Sequence, residues 1–128
     1  MSKPLIQKLD KITTKILFLK ERGLCFHCAA LACDTAHIIS RRHKSVRWET
    51  EADGNVHLLC RKCHVEAHSL PHAYENWYAA RYDGEALQAL RRRSQRISMM
   101  LDCDLGELLE KKRVEYARLK DEAPPPTA

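Results

Sequence analysis

Cys25-Phe-His-Cys28 and Cys60-Arg-Lys-Cys63 decide how this chain folds. A gap of two residues lets both sulfurs of a pair reach one cation, and two such pairs complete the tetrahedral thiolate set that Zn²⁺ prefers. The pairs stand 31 residues apart, so the segment between them must form a substructure of its own. A closed four-thiolate site keeps no open coordination position, so this Zn²⁺ is expected to be structural. Cys33 is an alternative ligand, and His27 or His64 is able to replace a cysteine. Cys103, far away in a helical region, reads as a small core residue. The competing reading of the two pairs is buried free thiols or redox couples.

Working outward, the apolar run Thr35-Ala-His-Ile-Ile39 suits a strand, Asp53-Gly54 marks a turn, and Asn55-Val-His-Leu-Leu59 suits a second strand. Cys60 to His68 then reads as a short helix, closed before Pro71. On the N-terminal side, Leu5, Ile6, Leu9, Ile12, Ile16 and Leu17 recur at helical spacing, giving an amphipathic helix from Leu5 to Arg22 that Gly23 ends. On the C-terminal side, Tyr74, Trp77, Tyr78 and Tyr82 line one helix, which Asp83-Gly84 breaks. Leu87, Leu90, Ile97 and Leu101 keep a seven-residue rhythm, either an intramolecular seam or a dimer contact. Leu105, Leu108, Leu109, Val114 and Leu119 suggest a last helix capped by Asp102 or Asp104, and the proline-rich end is expected to be a disordered tail. The fold class expected is α+β and mostly helical. Its parts are an N-terminal amphipathic helix (1–23), a zinc-bound core (24–70), a helical region (71–121) and a tail (122–128).

Composition narrows the function. The 128 residues suit one compact domain, and 22 Lys+Arg against 17 Asp+Glu leave a net charge of +5, a mild prior for nucleic acid. No apolar run approaches the roughly 18 residues of a membrane span. The start, Met1-Ser-Lys-Pro-Leu5, does not read as a secretion signal, so a cytoplasmic location with reduced thiols is expected.

The chemistry-bearing residues lie between and just after the cysteine pairs. His37 sits in the first strand. His64 and His68 are four apart, hence on one helix face, the spacing for joint binding of one cation. Cys63 and His64 point about 100° apart on a helix, so one serves the zinc while the other faces a separate site. Arg41-Arg-His-Lys-Ser-Val-Arg47 carries four fixed positive charges and no acid, as a groove facing a phosphate backbone requires. Each piece has a plainer explanation: a core histidine, a solvated basic loop, an asparagine serving its turn.

The order His37, Asn55, His64 within two Cys-x-x-Cys pairs resembles the HNH endonucleases, with Cys60-Arg-Lys-Cys-His64 resembling that family's zinc-and-ligand junction. More narrowly, Ala36-His-Ile-Ile-Ser-Arg41, Val46-Arg-Trp-Glu49, Asn55-Val-His57 and Tyr82-Asp-Gly-Glu-Ala-Leu87 are similar to phage recombination endonucleases of the NinG or Rap kind. The resemblance spans about Cys25 to Leu90. It implies a ββα-metal core: a β-hairpin and a helix around one divalent cation. The chain departs from the pattern at Ala36, where many HNH enzymes carry a metal ligand, and the narrower group has Gly there and often Asn in place of His64.

The resemblance implies a metal-dependent DNA endonuclease acting on branched or duplex DNA and leaving 5′-phosphate and 3′-hydroxyl ends. His37 would be the general base, and His64 with His68 would hold a cation such as Mg²⁺ or Mn²⁺. Asn55 would bind that cation or hold the hairpin and orient His37. Arg41 and Arg47, with Arg42 and Lys44, would contact phosphate. Arg91, Arg92, Arg93 and Arg96 form a second basic patch, read either as a grip on the duplex or as a solvated face. Cutting two strands of a junction would suit a homodimer. The rival readings are a non-catalytic zinc-finger nucleic-acid-binding protein and a zinc-stapled protein-interaction domain.

Overall fold

A computed structural model describes residues 3–96 and 102–122. Its elements run α1 (Lys3–Lys20), β1 (Asp34–His37), β2 (Val56–Leu59), α2 (Arg61–Ser69), α3 (Ala73–Tyr82), α4 (Gly84–Ser94) and α5 (Asp102–Glu122). The architecture is α+β and mostly helical. None of these helices is long and apolar enough to cross a membrane.

β1 and β2 pair antiparallel, with Asp34 opposite Leu59 and His37 opposite Val56. All four β2 residues are buried, because helices cover both faces of the two-stranded sheet. Alternation along the strands sorts the side chains. Val56 and Leu58 pack with Leu17 of α1. Leu59 joins Cys25, Phe26, Ala36, Val46, Cys63, Tyr74, Tyr78, Leu87 and Leu90 in the main core on the other face. Leu87 and Leu90 are therefore intramolecular core residues, and α4 stops at Ser94. Ile97 and Leu101, the rest of the seven-residue rhythm, lie outside the described residues, as does 123–128.

A second core joins the two ends of the chain. Leu9, Ile12 and Ile16 of α1 meet Leu105 and Leu109 of α5 around Trp48. Leu9, Ile16 and Leu105 have no exposed surface, and full burial of such a side chain contributes about 1.5–3 kcal/mol. The N-terminal helix thus shares a core with α5.

Several boundaries differ from the sequence reading. α1 ends at Lys20, because Arg22 takes a left-handed conformation (φ 55°) and lets the Gly23 N–H reach back to the Phe18 carbonyl at 3.1 Å. α5 starts at Asp102, so Asp104 lies within its first turn, and Glu122 is still helical. Cys103 is exposed on α5 rather than in the core, because the buried face of that helix is set by Leu105 and Leu109.

Candidate functional site

Four sulfurs come together first. The Sγ atoms of Cys25, Cys28, Cys60 and Cys63 all lie within 4.8 Å of one another, and Cys28 and Cys60 are 3.7 Å apart. Tetrahedral bonds of about 2.3 Å place two sulfurs about 3.8 Å apart, so these four residues fit one metal ion such as Zn²⁺. Local structure prepares the cluster: Ala29 turns left-handed (φ 64°) after the first pair, and Cys60 precedes α2 with its sulfur accepting the Cys63 N–H at 3.4 Å. Burial raises the Cys25 pKa, but the N–H groups of Cys28, Cys60 and His27 outweigh it and bring it down to about 7. Cys63 is pushed up by burial and by the neighbouring sulfurs. A cation bound there would resolve the conflict by stabilising all four thiolates together. His27 instead stacks on Trp77 with ring centroids 3.9 Å apart, and Cys33 is exposed outside the cluster.

Cys60 and Cys63 anchor α2 directly against the end of β2, which sets its next turn over β1. His64 Nδ1 lies 3.0 Å from Asp34 Oδ2, and His68 Nε2 lies 3.1 Å from His64 Nε2. A carboxylate only accepts, so His64 carries its proton on Nδ1. This is how a carboxylate orients a metal-binding histidine. The His64 Nε2 lone pair accepts the His68 Nε2–H, a proton that would move to His68 Nδ1 if both nitrogens held a cation. The separation of the two Nε2 atoms suits cis positions about a cation at 2.0–2.1 Å, which are roughly 3 Å apart. Asp34 is also held by Arg61 at 2.9 and 3.2 Å, and that hydrogen bond, followed by the one from His64, lowers its pKa.

His37 approaches from the other side of β1. Its Nε2 lies 2.9 Å from the Arg47 carbonyl oxygen, which can only accept, so Nδ1 retains a lone pair. Burial pushes the His37 pKa below its ordinary value of 6.5. His37, His64 and His68 all line one cleft of about 760 Å³, together with Asp10, Thr13 and Arg41. Thr13 Oγ1 is buried there with no hydrogen-bond partner among the described residues.

Asn55 stands apart from that cleft. It is fully buried, its Oδ1 accepts the Ile39 N–H at 2.7 Å, and its Nδ2 donates to the Ile39 carbonyl at 3.0 Å. Of the two roles considered for it, the contacts match the hairpin clamp, with the whole amide engaged by backbone.

The basic residues divide. Arg41 and Arg42 are exposed and, with Ser40, Lys44 and Arg47, line a shallow depression beside the cleft. The Arg47 guanidinium turns inward onto Asp10 at 2.8 and 3.1 Å. Arg93 is held in a two-pronged pair with Glu49 at 2.8 and 3.0 Å, and Arg91 pairs with Glu75. Arg92 and Arg96 are exposed. The basic loop also closes the end of α4, where His43 Nδ1 and Ser45 Oγ bond the Ser94 and Arg93 carbonyls at 3.1 and 2.7 Å.

Two functional candidates were missed in the sequence. Asp34 sits three residues before His37 and so faces away from it; that direction is where α2 places His64. Asp10 carried no motif signal at all, since its partners are about 37 residues away along the chain. Compared with known proteins, no family model matches the chain, and neither does any curated protein or solved structure.

Proposed function

We propose that this protein is a metal-dependent endonuclease of the HNH type, hydrolysing phosphodiester bonds in branched or duplex DNA as phage recombination nucleases do. The observation that carries the proposal is that His37 from β1 and the His64–His68 pair from α2, reaching it from opposite faces of that strand, line one cleft. The four-cysteine cluster at the root of α2 holds that helix against the sheet.

His37 is the general base. With Nε2–H donated to Arg47, its Nδ1 lone pair takes a proton from water, and its lowered pKa keeps the ring neutral at pH 7. The water oxygen bonds to phosphorus as the bond to the 3′ oxygen breaks, and the departing oxygen takes a proton from solvent, leaving 5′-phosphate and 3′-hydroxyl ends. Held by His64 and His68, a divalent cation such as Mg²⁺ or Mn²⁺ would supply Lewis-acid stabilisation of the charge that builds on the phosphate and the departing oxygen. Asp34 fixes the His64 ring for that role. Arg41 and Arg42, with Lys44, draw the backbone toward the cleft mouth, an attraction that weakens with salt. Asn55 keeps the hairpin closed without touching substrate.

The test incubates the protein with supercoiled plasmid and a four-way junction in Mg²⁺, Mn²⁺ or EDTA. Metal-dependent nicking that His37→Ala abolishes, with zinc content and DNA retention unchanged, supports the nuclease. Retarded but intact DNA in every condition overturns it in favour of a non-catalytic binder.

A further inference from the structure

Asp10, on α1 and outside the strand–strand–helix unit, accepts three hydrogen bonds on one carboxylate. Arg47 Nε and Trp48 Nε1 reach Oδ1 at 3.1 and 2.8 Å, and the Arg47 terminal nitrogen reaches Oδ2 at 2.8 Å. The donors belong to consecutive residues, and the carbonyl of the peptide that joins them is the one His37 Nε2 bonds. On the far side, Lys112 Nζ of α5 donates to the Trp48 carbonyl at 2.7 Å. Residues 41–48 form no strand ladder; single turns hold their backbone, with the Arg47 N–H on the Lys44 carbonyl at 3.4 Å and the Glu49 N–H on the Val46 carbonyl at 3.3 Å, and the side-chain bonds add to these in setting the orientation of that peptide. Trp48 is nearly fully buried, and its indole N–H is partnered by Asp10.

We infer that Asp10 is a positioning residue for His37: it locks the Arg47–Trp48 peptide so that its carbonyl selects the imidazole tautomer with Nδ1 free. The inference rests on the reading of His37 as the base, and it gives α1 a part in the reaction. A carbonyl free to turn no longer discriminates between the tautomers, and a ring protonated on Nδ1 offers the water no lone pair at that atom. Asp10 is also an anion lining the same cleft, where it offsets the charge of Arg47.

The experiment labels histidine with ¹⁵N in the full chain and reads the tautomer of His37, assigned with His37→Gln, from long-range ¹H–¹⁵N spectra. In the wild type the Nε2–H form is expected to dominate. Asp10→Asn should populate the Nδ1–H form and lower kcat on cleavable DNA by about 10–100-fold, the usual effect of losing a supporting partner, with KM little changed. Asp10→Glu should restore part of both. Zinc content and circular dichroism monitor folding. Should Asp10→Asn fail to fold, Lys112→Met releases the next peptide, Trp48–Glu49, and by loosening Trp48 should move the tautomer in the same direction. Wild-type spectra in the folded variants would overturn the inference. A wild type that leaves DNA intact, while Asp10→Asn still shifts the tautomer, would remove the nuclease reading and keep the positioning role.

Discussion

Asn55 offers two roles that make opposite demands, and substitution separates them. Asn55→Ala leaves the Ile39 N–H and carbonyl without their partners at 2.7 and 3.0 Å. An orphaned buried polar group costs about 1–3 kcal/mol. Ile39 is half-buried, so water recovers part of each loss, and the expected destabilisation is about 2–3 kcal/mol. For a chain of this length that lowers Tm by roughly 8–12 °C. Asn55→Asp should be worse: it keeps the acceptor for the Ile39 N–H but turns a carboxylate oxygen toward the Ile39 carbonyl at a position with no exposed surface. A cation ligand would show the reverse order, because aspartate binds a hard divalent ion at least as well as asparagine does. Thermal unfolding with zinc retained, read beside the cleavage rate in Mg²⁺, measures both. Unchanged Tm in both variants, or an aspartate variant that cuts faster than the parent, would refute the clamp.

Cys60→Ser should purify without zinc and lose the dispersed amide spectrum of the middle of the chain, since structural zinc contributes on the order of 10 kcal/mol to folding; a folded, active, zinc-free variant would contradict this. Gly54→Ala should destabilise by about 1–3 kcal/mol in denaturant titration, because the new methyl would meet the Glu51 carbonyl oxygen at 3.0 Å and the Glu49 carbonyl oxygen at 3.1 Å. An unchanged midpoint would show that the turn yields. Glu21, whose carboxylate accepts the Leu58 N–H at 3.0 Å, is raised by burial to about 7 from 4.5. Between those values the folded chain keeps a proton that the unfolded chain releases, so its contribution to stability is full below pH 4.5 and lost as pH rises through 7. Glu21→Gln should flatten that slope, and an unaltered pH profile of unfolding would exclude Glu21 as its source.

What could be read in the sequence is what local spacing dictates. Two-residue gaps bring Cys25 to Cys28 and Cys60 to Cys63, four-residue steps bring His64 to His68, and helical periodicity gives α1 and α3. The placement of α2 against the end of β2 follows from Cys60 and Cys63, which join it to the first cysteine pair. Pairings across long stretches of chain left no such trace. α1 and α5 are both amphipathic, and neither pattern names the other as partner. The ion pairs Asp10–Arg47 and Glu49–Arg93 convert two residues of the basic patches into internal braces. Asp34 gives no signal of its own, because alternation turns it from His37, and only the position of α2 puts His64 beside it.

The most direct measurement is anomalous diffraction from crystals of the zinc-loaded protein soaked in Mn²⁺. Zinc among the four sulfurs and manganese bonded to His64 and His68, in the cleft that His37 faces, is the expected pair of peaks. Zinc alone, with the His64–His68 pair unchanged at saturating Mn²⁺, would contradict a catalytic cation there and leave the zinc-held fold as a scaffold.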